Sequence, residues 1–280
     1  MGWWESVTGR LGGLVEAARA GLGRVSGALG SVDAVVSGDP AALPVVAAPP
    51  GQCATIAEVL DRMRVHGATL PAGDGVGDFH RMYHLVTERV AAQHDAGGFT
   101  DPAFMERLDC VFAGLYLDAL DSAPDRRNAA WSPLFERRAE PGIAGLQFAV
   151  AGMNAHINND LGLAVVRTCR QLGRTLASPG VHEDYLAVNA LLAAAVQQVR
   201  QSFLDGVALE VDRQASGVLD LVSSWSIEKA REAAWVSAQV QWALQTDEQV
   251  YAAYLTTRAS GVGLVTRQLL TPLDQLVADS

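Results

Sequence analysis

The sequence predicts an all-α protein: a single helical bundle or array of about seven to eight helices with an appended N-terminal amphipathic helix. Apolar residues recur at spacings of three and four over most of the chain, as the buried face of an α-helix requires. No stretch alternates apolar and polar residues as a strand does over more than a few positions. Proline, glycine and cap residues divide the pattern into segments of helical length.

Composition, net charge and cysteine spacing exclude several classes of protein. The chain has 280 residues, of which 49% are hydrophobic, enough to bury one large core. Its formal charge of −10 and pI near 5.0 repel phosphate backbones, so we expect no nucleic-acid partner. Cys53, Cys110 and Cys169 stand far apart in apolar stretches and predict buried, reduced thiols. Without a long apolar run or a secretory signal, we expect a soluble, cytoplasmic protein with no transmembrane segment.

Residues 1–36 predict the N-terminal amphipathic helix. Its apolar seam repeats at spacings of four and three: Leu11, Val15, Ala18, Leu22, Val25, Leu29 and Val32. Glycines within it each cost about 1 kcal/mol relative to alanine, so this helix forms only when its seam is covered. Docking on the main domain is the favoured interpretation, and a membrane surface, a protein partner or self-association are the alternatives.

Residues 37–51 hold four prolines and two glycines and predict an extended linker to a main all-helical domain at 52–275. In that domain Thr55 is the expected N-cap of a helix through Met63, and Asp101 with Pro102 begins a helix to about residue 121. The other helices are predicted over residues 76–93, 141–172, 183–204, 207–222, 227–244 and 248–270.

The densest polar cluster in an apolar helix is the segment MNAHINND, residues 153–160. His156 and Asp160 lie one helical turn apart, which suits either a divalent-metal ligand pair or a histidine oriented as a general base. Asn154 and Asn158 share a neighbouring face and would position a substrate, as would Asn159. A structural hydrogen-bond network is the alternative for the whole cluster.

A second carboxylate is expected nearby. Phe104, Leu108, Val111 and Leu115 define a buried stripe on one helix, and Asp118 falls within it. A buried Asp118 would act as a catalytic carboxylate or pair with an arginine from another segment.

Two further groups are candidates for a ligand site. Tyr185 and Asn189 share one helical face, and His182 before them is the candidate third metal ligand beside His156 and Asp160. Arg231 and Trp235 lie one turn apart and are expected to stack, with Glu228 pairing the guanidinium. Hydrophobic core and helix capping are the alternatives. The row His80, His84 and Glu88 is predicted to face solvent.

Several segments together resemble the bacterial domain-of-unknown-function family 5995, over roughly residues 55–273. They are ATIAEVLDRM, FTDPAFMERLDCVFAGLYLDAL, WSPLFERRAEPGIAGLQFAVAGMNAHINNDLGLAVV, HEDYLAVNALL and SSWSIEKAREAAW, of which AGMNAHINNDL is the most specific. The resemblance implies a helical domain and no established activity. It also implies that the position of Asn159 is often histidine in the family.

Two functions follow from the residues as hypotheses. The first is an enzyme acting on a small, largely apolar molecule in an interhelical cavity, with His156, Asp160 and Asp118 as the reacting groups. The second is a non-catalytic helical module that binds a hydrophobic ligand or a protein partner. The cofactor is unknown, with a divalent metal as one alternative.

Overall fold

The structure is a computed structural model that describes residues 45–189, 191–192 and 226–272. The predicted helices at 1–36 and 207–222 and the start of the linker lie outside these residues. Within them the regular structure is entirely helical and no strand occurs, which confirms the all-α prediction. None of the described helices is long and apolar enough to cross a lipid bilayer.

Eight helices have defined bounds, and we number them α1 to α8 in chain order. They are α1 Ile56–Thr69, α2 Gly75–Asp95, α3 Pro102–Asp121, α4 Ser132–Glu136, α5 Gly145–Ala155, α6 Gly162–Gln171, α7 Ile227–Leu244 and α8 Glu248–Leu269. A π-helical segment, His156–Leu161, joins α5 to α6, and a 3₁₀ turn spans Pro124–Arg126. Residues 181–189 are also helical.

Cap residues begin the helices where the sequence predicted. Thr55 Oγ1 accepts a hydrogen bond from the Glu58 amide at 3.2 Å, and Asp101 Oδ1 accepts one from the Phe104 amide at 3.1 Å. The bounds of α7 coincide with the prediction. Between residues 121 and 141, where no helix was predicted, the structure contains the 3₁₀ turn and α4.

The continuous helix formed by α5, the π segment and α6 is the centre of the described fold. Helices α2 and α8 pack on α5, helices α3 and α7 pack on α6, and α3, α7 and α8 also contact the π segment. A Cβ atom at Gly152 would lie 2.3 Å from the Phe79 ring, and one at Gly162 would lie 2.8 Å from the Ala234 carbonyl oxygen. Because these two positions lack a side chain, α2 and α7 approach the central helix closely.

Burial follows the predicted pattern for the thiols and departs from it at one histidine. Cys53, Cys110 and Cys169 are buried and free, as expected. His80, predicted to face solvent, is 4% exposed. Its Nδ1 lies 3.0 Å from the Tyr116 hydroxyl and its Nε2 lies 2.8 Å from the Met63 carbonyl oxygen. The prediction was wrong because α1 and α3 cover a second face of α2 that the apolar stripe alone did not reveal.

Candidate functional site

His156 and Asp160 form a buried pair at the π segment. His156 Nδ1 lies 3.0 Å from Asp160 Oδ2, and the two residues are 2% and 3% exposed. The same Asp160 oxygen accepts a hydrogen bond from Trp131 Nε1 at 2.9 Å. Asn159 Nδ2 donates to the other oxygen, Oδ1, at 2.7 Å. Asp160 is therefore held by three donors, one of which is the histidine.

This arrangement fixes the tautomer of His156. Both Asp160 oxygens accept hydrogen bonds from other donors, as a carboxylate does, and a carboxylate can only accept, so His156 Nδ1 carries the proton. The other ring nitrogen, Nε2, then holds a lone pair. It is buried and has no hydrogen-bond partner among the described residues. Burial lowers the pKa of His156, and the hydrogen bond and charge of Asp160 offset this only in part.

Aromatic rings enclose the imidazole. The Phe112 ring stacks on it with a centroid distance of 3.6 Å and an interplanar angle of 4°, and the Tyr83 ring meets it edge-on at 4.6 Å. Phe79, Tyr116 and Trp131 stand farther out, with centroids between 5.7 and 6.1 Å from that of His156. These contacts hold the ring in one orientation and exclude water from most of its surface.

His156 is part of the wall of a cavity of about 70 Å³ between α2, α3, the central helix and α7. The wall is mostly apolar, and its ionisable members besides Tyr83 are Asp109, His156 and Arg231. The remaining side chains are aliphatic, thioether or aromatic: Phe79, Met82, Val86, Val90, Met105, Leu108, Phe112, Met153, Ile157, Leu161, Val188, Leu192 and Ile227. A mostly apolar cavity with a few convergent polar groups is the usual form of a small-molecule site.

Asp109 is the polar group at this cavity that sequence reasoning missed. It is 8% exposed, and its Oδ2 has no hydrogen-bond partner among the described residues. Burial raises the pKa of Asp109 to about 7. A signal was present in the sequence, because Met105, Phe112 and Tyr116 place apolar residues one turn before, one turn after and two turns after Asp109 on α3.

Arg231 closes another part of the wall and is held by residues that the sequence had singled out. Its Nε donates to Asn189 Oδ1 and its Nη2 donates to the Tyr185 carbonyl oxygen. The guanidinium carbon lies 4.3 Å from the centre of the Tyr185 ring, and the Tyr185 hydroxyl donates to the Arg231 carbonyl oxygen at 2.6 Å. The predicted stacking of Arg231 on Trp235 is wrong, because Tyr185 occupies that place and Trp235 stacks on His182 at 4.3 Å instead.

Asn154 and Asn158, predicted to position a substrate, lie on a different face of the central helix. Asn154 Nδ2 donates to Thr266 Oγ1 at 3.1 Å and to the Val262 carbonyl oxygen at 3.3 Å, both on α8. Asn158 Nδ2 donates to Asn154 Oδ1 at 2.9 Å. Neither residue lines the cavity. The structural alternative describes these two amides, since they join the central helix to α8.

Asp118, the expected second carboxylate, is exposed. The apolar stripe predicted a buried side chain, but the buried face shifts around α3 toward its end. There Tyr116, Leu117 and Ala119 are buried and Asp118 turns to solvent. The structure thus puts Asp109, and not Asp118, in the wall of the cavity.

The predicted metal ligands are not brought together. His182 is exposed and stacked on Trp235, away from the pair formed by His156 and Asp160. Asp184, two residues after His182, accepts hydrogen bonds from the Thr100 and Asp101 amides at 2.8 and 2.6 Å and so ties its helix to the start of α3. In the part of the chain that the structure describes, no three His, Cys, Asp or Glu side chains are grouped to hold a metal ion.

Comparison with known proteins gives one match. A family described as "Family of unknown function (DUF5995)" matches residues 56–272, which include the whole of the site. No curated protein and no solved structure matches the chain. The comparisons therefore identify the family, and the function has to be argued from the site.

Proposed function

Since the chain belongs to DUF5995, a family of unknown function, we propose from its site that the protein is an enzyme for a small, largely apolar molecule, with His156 as general base. One observation carries the proposal. A buried histidine has one ring nitrogen bonded to a carboxylate and the other without a partner at the wall of an apolar cavity. Buried polar atoms in folded proteins are nearly always hydrogen-bonded, so an open acceptor at a cavity supports a ligand there.

The pair has the chemistry of a general base. With Nδ1 protonated, Nε2 can take a proton from a bound molecule, and Asp160 then stabilises the positive imidazolium. Because burial lowers the pKa of His156, the ring is neutral at neutral pH and the base is in its reactive form. Trp131 and Asn159 fix the carboxylate, which in turn fixes the ring.

The test is consumption of small molecules by the purified full-length chain. The protein is incubated with a pool of small apolar metabolites, and losses and products are followed by mass spectrometry. His156→Phe keeps an aromatic ring against Phe112 but removes both nitrogens, so we expect no consumption. Asp160→Asn leaves the ring in the wrong tautomer and should slow the reaction by roughly 10³-fold or more.

Thr256→Ala is the matched control. Thr256 is exposed on α8, where its hydroxyl donates to the Ala252 carbonyl oxygen, and it does not line the cavity. This variant should consume the same compounds at the wild-type rate, and near-UV circular dichroism should show that all variants keep their tertiary packing. Equal consumption by wild type and His156→Phe would overturn the assignment of His156.

A non-catalytic carrier is the second candidate, and the apolar character of the wall favours it. Such a protein would hold its ligand unchanged. Recovery of an unmodified small molecule from the wild-type protein, with no compound consumed from the pool, would support the carrier and contradict the enzyme.

A further inference from the structure

Three polar side chains line the cavity with a buried atom that no described residue satisfies. The atoms are His156 Nε2, on a residue 2% exposed, Asp109 Oδ2, on a residue 8% exposed, and the Tyr83 hydroxyl, on a residue 5% exposed. Tyr83 connects the other two groups, because its ring centroid lies 4.6 Å from that of His156 and its hydroxyl is close enough to Asp109 to feel the charge of the carboxylate.

His156 Nε2 and Asp109 play opposite hydrogen-bonding roles. His156 Nε2 is an acceptor, since the ring proton is on Nδ1. No described residue forms a salt bridge with Asp109, and a carboxyl buried without a counter-charge favours its neutral form, which donates. The pKa of about 7 agrees with this form in weakly acidic solution. The cavity thus presents to its ligand one acceptor, one donor and the Tyr83 hydroxyl, which can also donate.

We propose that the cavity takes a small alcohol, whose hydroxyl donates to His156 Nε2 and accepts from the Asp109 carboxyl. A hydroxyl has one donor and two acceptor lone pairs, so a single oxygen can donate to His156 Nε2 and accept from both Asp109 and Tyr83. A ketone leaves Nε2 without a donor, an ammonium cannot accept from Asp109, and a hydrocarbon satisfies neither. The inference rests on the proposed small-molecule site and specifies what that site binds.

Size and lining limit the rest of the molecule. A cavity of about 70 Å³ is roughly half the volume of an engineered apolar cavity that binds benzene, about 150 Å³. The alcohol therefore has a short or compact carbon skeleton. That skeleton packs against apolar side chains such as Val86, Met105 and Ile157. In this arrangement Asp109 donates a hydrogen bond to the hydroxyl oxygen, and His156 Nε2 accepts one from the hydroxyl proton.

Four probes of equal shape test the proposal: 2-butanol, 2-butanone, 2-methylbutane and 2-aminobutane. Binding is measured at about pH 6, below the pKa of about 7 of Asp109, by NMR titration of the full chain carrying ¹³C-labelled methionine methyl groups. Met82, Met105 and Met153 line the cavity and report occupancy. Because an unpaired buried polar atom is costly, we expect 2-butanol to bind at least about tenfold more tightly than each of the other three.

Two substitutions identify the contribution of Asp109. Asp109→Asn retains an N–H donor, so the Kd for 2-butanol should stay within about threefold of wild type. Asp109→Leu removes the donor and should raise that Kd by about tenfold or more, while 2-methylbutane binds no more weakly than before. This second readout shows that the leucine variant still has a folded cavity.

Each other outcome has a defined meaning. If 2-methylbutane binds as tightly as 2-butanol, the small-molecule site stands and the alcohol assignment is wrong. If 2-aminobutane binds most tightly and Asp109→Asn abolishes this, the ligand is a cation and the assignment is again wrong. If no probe shifts the three methyl signals, the cavity holds water only, and the alcohol assignment fails whatever the metabolite pool shows.

Discussion

Two buried histidines in this fold differ in the hydrogen-bond partners of their ring nitrogens. His80 on α2 has both ring nitrogens bonded, one to the Tyr116 hydroxyl and one to the Met63 carbonyl oxygen. His156 in the π segment has one nitrogen bonded, to Asp160, and one open at a cavity. Burial lowers the pKa of both, to about 4 for His80, so both rings are neutral at neutral pH. The structural histidine, His80, therefore differs from the candidate base, His156, because both of its ring nitrogens have a hydrogen-bond partner.

Two buried carboxyl groups repeat the contrast. Asp184 accepts two backbone amides, at 2.8 and 2.6 Å, and joins its helix to the start of α3. Asp109 is also buried, yet its Oδ2 has no partner among the described residues. The open atoms of His156 and Asp109 thus lie at the cavity wall, whereas the satisfied His80 and Asp184 join neighbouring helices. A buried polar atom without a hydrogen-bond partner lowers the free energy of unfolding. Under the proposed function, the groups at the cavity wall lower stability and serve the ligand.

The largest expected difference is between the two His→Phe variants. His80→Phe leaves the Met63 carbonyl oxygen and the Tyr116 hydroxyl without this partner and should cost roughly 3 kcal/mol of unfolding free energy. His156→Phe removes one hydrogen bond from Asp160, which keeps two other donors, and it also removes an open nitrogen. We expect a loss of about 1 kcal/mol, measured by urea unfolding at neutral pH.

The same substitution at both positions is its own control for the change from imidazole to phenyl. Equal losses would show that Nε2 of His156 is satisfied in the folded protein, and the comparison between the two histidines would then fail. The tautomer gives an independent check, since ¹⁵N NMR of His156 should show a protonated Nδ1 and an unprotonated Nε2.

The next effect concerns pH. The pKa of Asp109 is raised from 3.8 to about 7 on folding, so the native state binds more protons than the unfolded state between these values. The stability linked to its protonation is fully present below pH 3.8 and is lost as pH rises through about 7. Between about pH 5 and about pH 8, wild type should lose roughly 2 to 3 kcal/mol relative to Asp109→Asn, in which this position does not titrate.

This pH difference belongs to Asp109 because its neighbours are common to both proteins. The other titratable or charged groups in the cavity wall are Tyr83, His156 and Arg231. Asp109→Leu should show the same pH dependence as Asp109→Asn, since neither side chain titrates. Parallel stability curves for wild type and both variants would contradict a raised pKa and, with it, the neutral donor at the cavity.

The fold was largely predictable because its signals are local. Thr55, Asp101 and Pro102 begin helices through their own caps and dihedral preferences, and the apolar periodicity set the bounds of α7. The π segment was not predictable, because no residue type marks it, and its extra residue per turn depends on the packing around it. The interpretation of residues 141–172 as one continuous helix missed this feature.

The site was predicted in part. His156 and Asp160 were found because one helical turn brings them together, whatever the rest of the chain does. The sequence did not show whether Asp118 or Asp109 lines the cavity, because the packing of other helices determines which side of α3 faces it. The indole N–H of Trp131 and the ring of Phe112 come from segments distant in sequence from His156. No sequence pattern predicts that they contact this site.

The smallest expected effect has the opposite sign to the others. Asp109→Leu replaces a buried carboxyl that lacks a partner for Oδ2 with an apolar side chain of the same branched shape. We expect a gain of about 1 kcal/mol in unfolding free energy at neutral pH, measured by urea unfolding. Asp184→Leu is the matched control and should be destabilised, because the Thr100 and Asp101 amides lose their acceptor. A destabilised Asp109→Leu would mean that the folded chain already satisfies this carboxyl. A stabilised variant with weakened 2-butanol binding would identify Asp109 as a residue that costs stability and serves the ligand.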